Sequence, residues 1–216
     1  MNIDPAITNI VKIAVLQFEN VKVKSKSTPL WGEIESLSLE LRNTYHSMED
    51  AREDITPARQ LYKQIGLDPT KQRPSSEALL RRIIKGRELY QVNSVVDTCN
   101  LCSLKFLLPI GLYDFAKIKK PVILRLGKEN EGYEGIGKGW VNLSGKLAFV
   151  DQLGPFGNPS SDSARTKITL ETTEVLFVIF TPHDYDDSQL NSHADYAATQ
   201  MHIFNGGKRT EIFFCG

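Results

Sequence analysis

Hydrophobic residues recur at two different spacings along the chain. In the first half they return every three to four residues, which is the period of an amphipathic helix. The longest such series consists of Ile34, Leu37, Leu41, Tyr45 and Met48. This series predicts a helix from Trp31 to about Glu53.

The same helical period predicts four further helices. One begins at Pro57 and ends at Gly66, in the position that a left-handed C-cap favours. The others are expected between Ser75 and Gly86, from about Val95 to Leu107, and from Asp187 to Phe204.

Short apolar runs separated by glycine predict strands in the second half of the chain. They cover 122–126, 132–139, 146–150, 167–169, 175–180 and 212–214. Near the N-terminus, Val11 to Phe18 and a shorter piece at Val21 to Lys24 are interpreted as strands at a sheet edge. The expected fold class is α/β (mixed α+β), a single domain over 1–216 with a mixed or antiparallel sheet flanked by helices.

Composition narrows the class of protein. Among 216 residues, 41% are hydrophobic and 24% are charged, which is ordinary for a chain that buries a core. We expect no membrane partner, because no apolar run approaches the length that spans a bilayer and the N-terminus does not resemble a secretory signal. Three cysteines argue against a disulfide framework and favour a reducing, cytoplasmic location.

The charges balance over the whole chain. Lys plus Arg and Asp plus Glu are 26 each, so any contact with a polyanion must come from a local patch. The segment 59–87 is such a patch, because its eight cations are accompanied only by Asp68 and Glu77. The alternative is a solvated helix face.

A stripe of short polar residues lines one face of the helix predicted after Asn93. Asn93, Asp97, Asn100 and Ser103 follow one another at spacings of four, three and three. Such side chains suit either a buried polar network or a ligand pocket. The alternative is that Asn93 and Asp97 cap and tie down neighbouring backbone.

The segment 151–166 is so rich in turn-forming residues that an irregular loop is expected. Gly154 and Gly157 permit close approach to a ligand, and the amides at Ser161 to Ser163 are candidates for holding an anion or a carbonyl oxygen.

Two charged residues of this segment are candidates for substrate contact. Asp162 is suited to order an ammonium group or a water molecule, and Arg165 to bind a phosphate or a carboxylate. The alternative is that Arg165 pairs with Asp162 or Asp151 to hold the loop.

No metal site and no cofactor are expected. Cys99 and Cys102 form a C-x-x-C pattern, but the helical period places both on the apolar side, as packing cysteines. The four histidines lack metal-ligand spacing, and the glycines of 132–139 match neither known phosphate-loop pattern. No order of Ser, His and Asp indicates a catalytic triad.

Four groups of residues carry a family resemblance. The first group is Asp68-Pro69 with 73–82, and the second is 93–97 with Asn100. The third is 109–114, and the fourth is 154–157 with Asp162-Ser163 and Arg165-Thr166. Together they resemble the free-standing B3/4 domain family, which is related to the tRNA-editing module of the phenylalanyl-tRNA synthetase beta subunit. The resemblance covers 59–182 and implies the α/β fold of that module.

The resemblance also implies roles for residues. The module hydrolyses tyrosine wrongly esterified to tRNA, and it binds the terminal adenosine with the amino acid. The resemblance places Asn100 on a pocket asparagine of the module. Taken together with the residue patterns above, it makes Asn100, Asp162 and Ser163 the catalytic candidates. The substrate-binding candidates are Asn93, Asp97, Ser103, Tyr113, Arg165 and Thr166, and the tRNA-contacting candidates are Arg73, Arg81 and Arg82.

Two departures from the family pattern argue against tyrosine-specific editing. The pocket histidine of the synthetase is replaced by Gly111, and its pocket glutamate falls near Ala164. The first hypothesis is therefore a trans-acting hydrolase of mischarged aminoacyl-tRNA of unspecified amino acid. The alternative is a non-catalytic module that binds tRNA, a nucleotide or a small free amino acid. The motifs of a complete synthetase are missing, and no oligomeric state is predicted.

Overall fold

A computed structural model describes residues 1–215 and has the mixed α/β architecture expected from the sequence. The helices are α1 (Thr28–Thr44), α2 (Thr56–Gln64), α3 (Ser75–Ile84), α4 (Ser94–Phe106) and α5 (Asp187–Asn205). The strands are β1 (Asn2–Ile3), β2 (Val11–Glu19), β3 (Ile110–Asp114), β4 (Ile123–Leu126), β5 (Gly132–Gly135), β6 (Gly139–Asn142), β7 (Leu147–Asp151), β8 (Gly154–Asn158), β9 (Ser161–Asp162), β10 (Val175–Pro182) and β11 (Lys208–Cys215).

The strands form two main sheets and one hairpin. One sheet has the order β11-β2-β10-β3 and is antiparallel throughout. The other has the order β1-β4-β7-β8-β9, with β1 parallel to β4 and the remaining pairs antiparallel. Strands β5 and β6 form a separate hairpin. Strand β3 is therefore a sheet edge, and this edge positions the candidate site.

The central strands β2 and β10 of the first sheet are buried on both faces. One face of β2 and β10, which includes Val15 and Phe180, packs towards the second sheet with Tyr113, Phe149 and Phe156. The opposite face packs with residues of α4 and α5. Burial on both faces explains why all eight residues of β10 are buried and why its sequence shows no polar alternation.

The helices at 57–66, 75–86, 95–107 and 187–204 are confirmed within a few residues. Gly66 and Gly86 have φ of 75° and 66°, so both follow their helices in the left-handed conformation. The first helix was predicted to reach Glu53 but ends at Thr44. The Asp50 carboxylate accepts hydrogen bonds from the amides of His46 and Ser47, which offers this backbone an alternative to the helix.

Near the N-terminus the strand predicted over Val11 to Phe18 is confirmed as β2, but its expected edge position and the second strand at Val21 to Lys24 are wrong. Strand β2 lies between β11 and β10, so it is central and not at an edge. The residues Val21 to Lys24 form a connection, because the Val21 and Lys22 amides donate to Thr173 and Asn205 carbonyls outside any sheet.

Three predictions in the second half also need correction. The run 132–139 is not one strand, because β5 ends at Gly135 and β6 begins at Gly139. The run 167–169 is not a strand, and the Thr169 amide donates to the Thr172 hydroxyl at 2.9 Å. The segment 151–166 was expected to be irregular but forms β8 and β9. Gly154 turns the chain with φ of 110°, and Gly157 lets the Tyr113 ring pack on the strand.

In the part of the chain that the structure describes, none of the helices combines the length and hydrophobicity needed to cross a bilayer.

Candidate functional site

A cavity of about 530 Å³ opens beside the edge strand β3, within the size range of small-molecule sites. Helices α3 and α4, β3, β9 and the turn after β5 all contribute to its wall. The apolar lining consists of Leu79, Val92, Val96, Cys99, Ile110, Leu112, Ile136 and Ile168, and the polar lining of Ser75, Asn100, Ser103, Asp162, Lys167 and Thr169. The polar stripe on α4 and the segment containing Asp162 therefore meet at one cavity.

The backbone of Asp162 is held on both sides. Strand β9 pairs with β8 in the register Gly157 to Asp162. On its other side, the Ile136 amide donates to the Asp162 carbonyl at 3.1 Å, and the Tyr133 hydroxyl donates to the Ser161 carbonyl. Asp162 therefore occupies a fixed position in the cavity wall.

The Asp162 carboxylate makes no hydrogen bond or ion pair with any side chain or amide among residues 1–215. Burial raises its pKa to about 7, while the Lys138 ammonium acts in the opposite direction. The residue keeps partial solvent exposure while lining the cavity, so its carboxylate remains accessible to a ligand. Such a group can accept or release a proton near neutral pH.

Asn100 lies on the same cavity and has a free amide. Its side chain makes no hydrogen bond to the described residues 1–215, so both the donor and the acceptor are available to a ligand. Ser103 also lines the cavity, but its hydroxyl donates to the Leu108 carbonyl at 2.8 Å. Only the C-terminal half of the predicted polar stripe thus reaches the cavity.

Asn93 and Asp97, predicted to bind substrate, serve the backbone instead. The Asn93 side chain caps α4 by accepting from the amides of Val95 and Val96 at 3.2 and 3.0 Å. The Asp97 carboxylate accepts from the Val92 amide at 3.0 Å. Both residues are buried and absent from the cavity lining, so the alternative role as caps is the one that the structure favours.

Ser163 and Thr166, predicted as catalytic and substrate-binding residues, do not line the cavity. The Ser163 hydroxyl accepts from the Arg165 amide, and the Thr166 hydroxyl donates to the Phe156 carbonyl. The amides expected to hold an anion are also occupied. The Ser161 amide donates to the Asn158 side chain, and the Ser163 amide donates to the Phe156 carbonyl.

Arg165, another predicted substrate contact, forms an ion pair within the fold. Its guanidinium donates to both oxygens of the Asp151 carboxylate at 3.0 Å, and it also donates to the Lys117 carbonyl. The Arg165 guanidinium lowers the pKa of Asp151 against the effect of burial. The structure therefore favours the interpretation in which Arg165 holds this segment in place.

Tyr113 was predicted to bind substrate but lies in the core between the two sheets. Its ring packs edge-on against Phe149 and Phe156, and its buried hydroxyl has no hydrogen-bond partner within residues 1–215. A methyl group added to Gly111 or Gly157 would overlap this ring. The ring thus fills the space that a side chain at position 111, the position matched to the pocket histidine of the synthetase, would enter.

The arginines predicted to contact tRNA lie in two different environments. Arg73 and Arg81 approach the buried Glu77 carboxylate at 3.4 and 3.5 Å, which Arg59 binds more closely, at 2.7 Å. Arg82 instead donates to the Glu88 carbonyl and stacks over the Tyr90 ring at 4.3 Å. Arg73 and Arg81 therefore share one carboxylate, and Arg82 has different partners.

Cys99 and Cys102 are both free thiols packed inside the fold, as their spacing predicted. Burial raises the pKa of both, which suppresses the reactive thiolate. Within residues 1–215, no group of three or more His, Cys, Asp and Glu side chains is arranged to hold a metal ion.

Sequence reasoning did not identify most of the apolar lining of the cavity. Leu79, Leu112, Ile136 and Ile168 come from four separated segments, and each has the appearance of an ordinary core or loop residue in the sequence. Their convergence depends on the packing of α3 against α4 and on the edge position of β3. No local spacing signals it.

Comparison with known proteins identifies the family from the sequence. The sequence pattern of the B3/4 domain matches residues 57–199. The chain is also similar to "Uncharacterized protein YhzB" of Bacillus subtilis strain 168, with 26% identity over 198 residues that cover 91% of this chain and 89% of that protein.

Among solved structures, an N-terminal fragment of the phenylalanyl-tRNA synthetase beta-subunit from Pyrococcus horikoshii aligns with 96% of this chain, at 14% identity and a TM-score of 0.47. The chain spans about half of that fragment, since 49% of it is covered. The matched segment 57–199 is more than half of the 216 residues, and the chain therefore belongs to the B3/4 domain family.

Proposed function

We propose that this protein is a trans-acting hydrolase that removes the amino acid from a mischarged aminoacyl-tRNA in the cytoplasm. The observation that carries the proposal is the unpartnered Asp162 carboxylate, which shares one cavity with the free amide of Asn100. A base and a hydrogen-bond donor around one reacting carbonyl are the minimum that ester hydrolysis requires.

The proposed reaction assigns one role to each of these residues. The Asp162 carboxylate accepts a proton from a water molecule while the water oxygen forms a bond to the carbonyl carbon of the ester. The Asn100 amide donates a hydrogen bond to the carbonyl oxygen as negative charge develops on it. The bond from that carbon to the ribose oxygen then breaks, and the ribose oxygen takes the proton from Asp162. The products are the free amino acid and the uncharged tRNA.

The remaining lining supports an aminoacyl substrate. Leu79, Ile110, Leu112 and Ile168 offer an apolar surface to an amino-acid side chain and limit the water around Asp162. A low local polarity strengthens the hydrogen bond that Asn100 donates. Because the lining is mainly apolar, we propose that an apolar aminoacyl group is accepted more readily than a charged one.

A second candidate is a binding module that holds a free amino acid without hydrolysis. The packing around Gly111 supports this candidate. The Tyr113 ring occupies the space beside Gly111, so a histidine such as the one in the synthetase pocket has no room at this position. In this case the Asp162 carboxylate pairs with the ammonium group of the amino acid, and the cavity binds a product instead of a substrate.

Deacylation of a panel of mischarged tRNAs distinguishes the two functions. We expect cleavage of at least one substrate, with kcat rising as the pH passes through about 7, the pKa of Asp162. The variant Asp162→Asn is expected to lose about 10² to 10⁴ fold in rate. The matched control is Asp195→Asn, because Asp195 is exposed on α5 and absent from the cavity lining.

A full panel without cleavage, at protein concentrations that saturate the tRNA, rejects the hydrolase. Calorimetric titration with free amino acids then tests the second candidate. It requires saturable binding that Asp162→Asn abolishes and Asp195→Asn does not change.

A further inference from the structure

A second cavity, of about 360 Å³, adjoins β9 and has a strongly positive lining. Lys71, Arg73, Lys138 and Lys146 line it, and no Asp or Glu does. We call this cavity the basic groove. Its cations come from the segment between α2 and α3, the β5–β6 turn and the turn before β7. The two that are farthest apart in sequence, Lys71 and Lys146, are separated by 75 positions.

No carboxylate of residues 1–215 forms an ion pair with the three lysines of the basic groove, although the Lys138 ammonium, at a greater distance, partly offsets the rise that burial causes in the pKa of Asp162. Lys138 donates to the Ser161 hydroxyl at 3.2 Å and Lys146 to the Asn142 carbonyl at 3.0 Å, so both are oriented by neutral groups. The Lys71 ammonium has no partner within residues 1–215. Only Arg73 meets a carboxylate, at 3.4 Å, and that carboxylate, Glu77, is held more closely by Arg59. Uncompensated cations in a concave surface concentrate anions.

A rigid neutral donor completes the basic groove. Asn158 is only 5% exposed, and its side-chain oxygen accepts from the amides of Ser160 and Ser161 at 2.7 and 2.8 Å. These bonds fix the side chain, and its amide nitrogen has no partner among residues 1–215. The neighbouring backbone is fixed as well, since the Tyr62 hydroxyl donates to the Pro159 carbonyl at 2.9 Å. A fixed amide donor beside several cations is well suited to a phosphate oxygen.

We propose that the basic groove binds phosphate groups of an RNA backbone and directs the end of that strand into the Asp162 cavity. The choice of RNA as the source of the phosphates rests on the proposed function. Phosphate binding itself rests on the four cations, the absence of acidic lining residues and the Asn158 donor.

The two cavities are adjacent, because β9 and the turn after β5 contribute residues to both. Ser161 lines the basic groove and Asp162 lines the other cavity, as expected for consecutive strand residues, whose side chains point to opposite faces. In the turn after β5, Ile136 lines the Asp162 cavity and Lys138 lines the basic groove. Strand β9 and the turn after β5 thus form the wall between the two cavities.

Fluorescence anisotropy with a single-stranded RNA of about eight nucleotides tests the proposal. The test variant is Lys138→Gln/Lys146→Gln, and the matched control is Lys22→Gln/Lys208→Gln, which removes the same charge far from β3, beside the opposite edge strand β11. Thermal unfolding verifies that both variants fold. We expect the test variant to bind about tenfold more weakly or worse. The slope of log Kd against log salt is expected to fall by about 1.4, which is about 0.7 for each lost phosphate contact.

Equal affinity losses in the test and control variants, or no loss in either, would overturn the proposal. Competition with ATP separates the two sources of phosphate. If the ligand is RNA, ATP must displace the labelled RNA only at much higher concentrations than unlabelled RNA does. If ATP displaces it at the same concentration as unlabelled RNA or a lower one, the basic groove is assigned to a free nucleotide and the RNA assignment is overturned.

Failure of the basic groove is distinguishable from failure of the hydrolase. Asp162→Asn is expected to keep full RNA affinity while losing hydrolysis. The single variant Lys146→Gln, which leaves Lys138 beside Asp162 unchanged, is expected to weaken RNA binding and to keep hydrolysis of a tRNA-free amino-acid ester. Lysine-dependent RNA binding supports the basic groove even where the deacylation panel is negative.

Discussion

The ring of Tyr113 packs directly on Gly157, in the space that any side chain at position 157 would occupy. Tyr113 lies on β3 in one sheet and Gly157 lies on β8 in the other, so this contact joins the two sheets. Gly157 is also the residue that pairs with Asp162 on β9. Close packing at Gly157 therefore sets the distance between the edge strand β3 and the carboxylate of the proposed site.

The first prediction concerns Gly157→Ala. The added methyl group overlaps the Tyr113 ring, so we expect the free energy of unfolding to fall by about 1 to 3 kcal/mol in urea denaturation. The control is Gly32→Ala in α1, where the new methyl group meets nothing within 4 Å and helix propensity favours alanine. That variant is expected to gain about 0.5 to 1 kcal/mol. Equal stability of the two variants would contradict the packing argument.

The second prediction concerns Gly111→His, which introduces a histidine at the position matched to the pocket histidine of the synthetase. Its side chain meets the Tyr113 hydroxyl, so we expect a lower melting temperature and no gain in hydrolysis of tyrosyl-tRNA. In Gly111→His/Tyr113→Ala the overlap is removed, and we expect the melting temperature to recover in part. A stable, tyrosine-specific Gly111→His single variant would show that the ring moves aside readily.

The third prediction concerns the pH dependence of stability. The pKa of Asp162 is raised to about 7 in the folded state, above the ordinary value of 3.8 expected after unfolding. Between these values the unfolded chain loses this proton first, so stability falls as the pH rises towards 7. Asp162→Asn removes this penalty. We expect the variant to match the wild type near pH 4 and to exceed it at pH 8 by at least about 1 kcal/mol, the equivalent of a shift of one pH unit. Lower stability of the variant at pH 8 would refute the pKa direction.

The fourth prediction concerns Arg165→Ala. The substitution leaves the Asp151 carboxylate, whose side chain is 0% exposed, without its ion-pair partner. Breaking a pair of this kind costs about 3 kcal/mol, which thermal unfolding will measure. The comparison is Arg52→Ala, because Arg52 and Glu49 are 72% and 75% exposed and the loss there is expected to stay below about 1 kcal/mol. If Arg165 instead binds substrate, Arg165→Ala raises KM without a change in stability.

Helices were the most predictable part of the fold, because their signals are local. Gly66 and Gly86 end α2 and α3 as their positions in the sequence indicate. The predicted end of α1 was too late for an equally local reason, because the Asp50 carboxylate accepts hydrogen bonds from two backbone amides. The spacing of hydrophobic residues carries no information about such bonds. Strand order depends on partners distant in sequence, so the central position of β2 was not accessible from its own residues.

The candidate site was predicted in outline and not in detail. The stripe on α4 and the Asp162 segment do meet, because a helical period fixes which side chains share a face. Which polar groups remain free depends on tertiary partners. Arg165 is bound by Asp151, while the side chains of Asn100 and Asp162 have no partner within residues 1–215, although all three are equally plausible ligand contacts in the sequence.

The position of Asp162 in a strand, and not in a loop, has a consequence for how this site can change. Its backbone is ordered by β8 and by the turn after β5 when the protein folds, so binding does not have to order it again. The same rigidity means that a one-residue insertion within the paired part of β8 or β9 shifts the strand register and turns the carboxylate away from the cavity. New substrate preferences are therefore expected to arise by exchange of apolar lining residues such as Leu79 or Ile168, while the length of this segment stays constant.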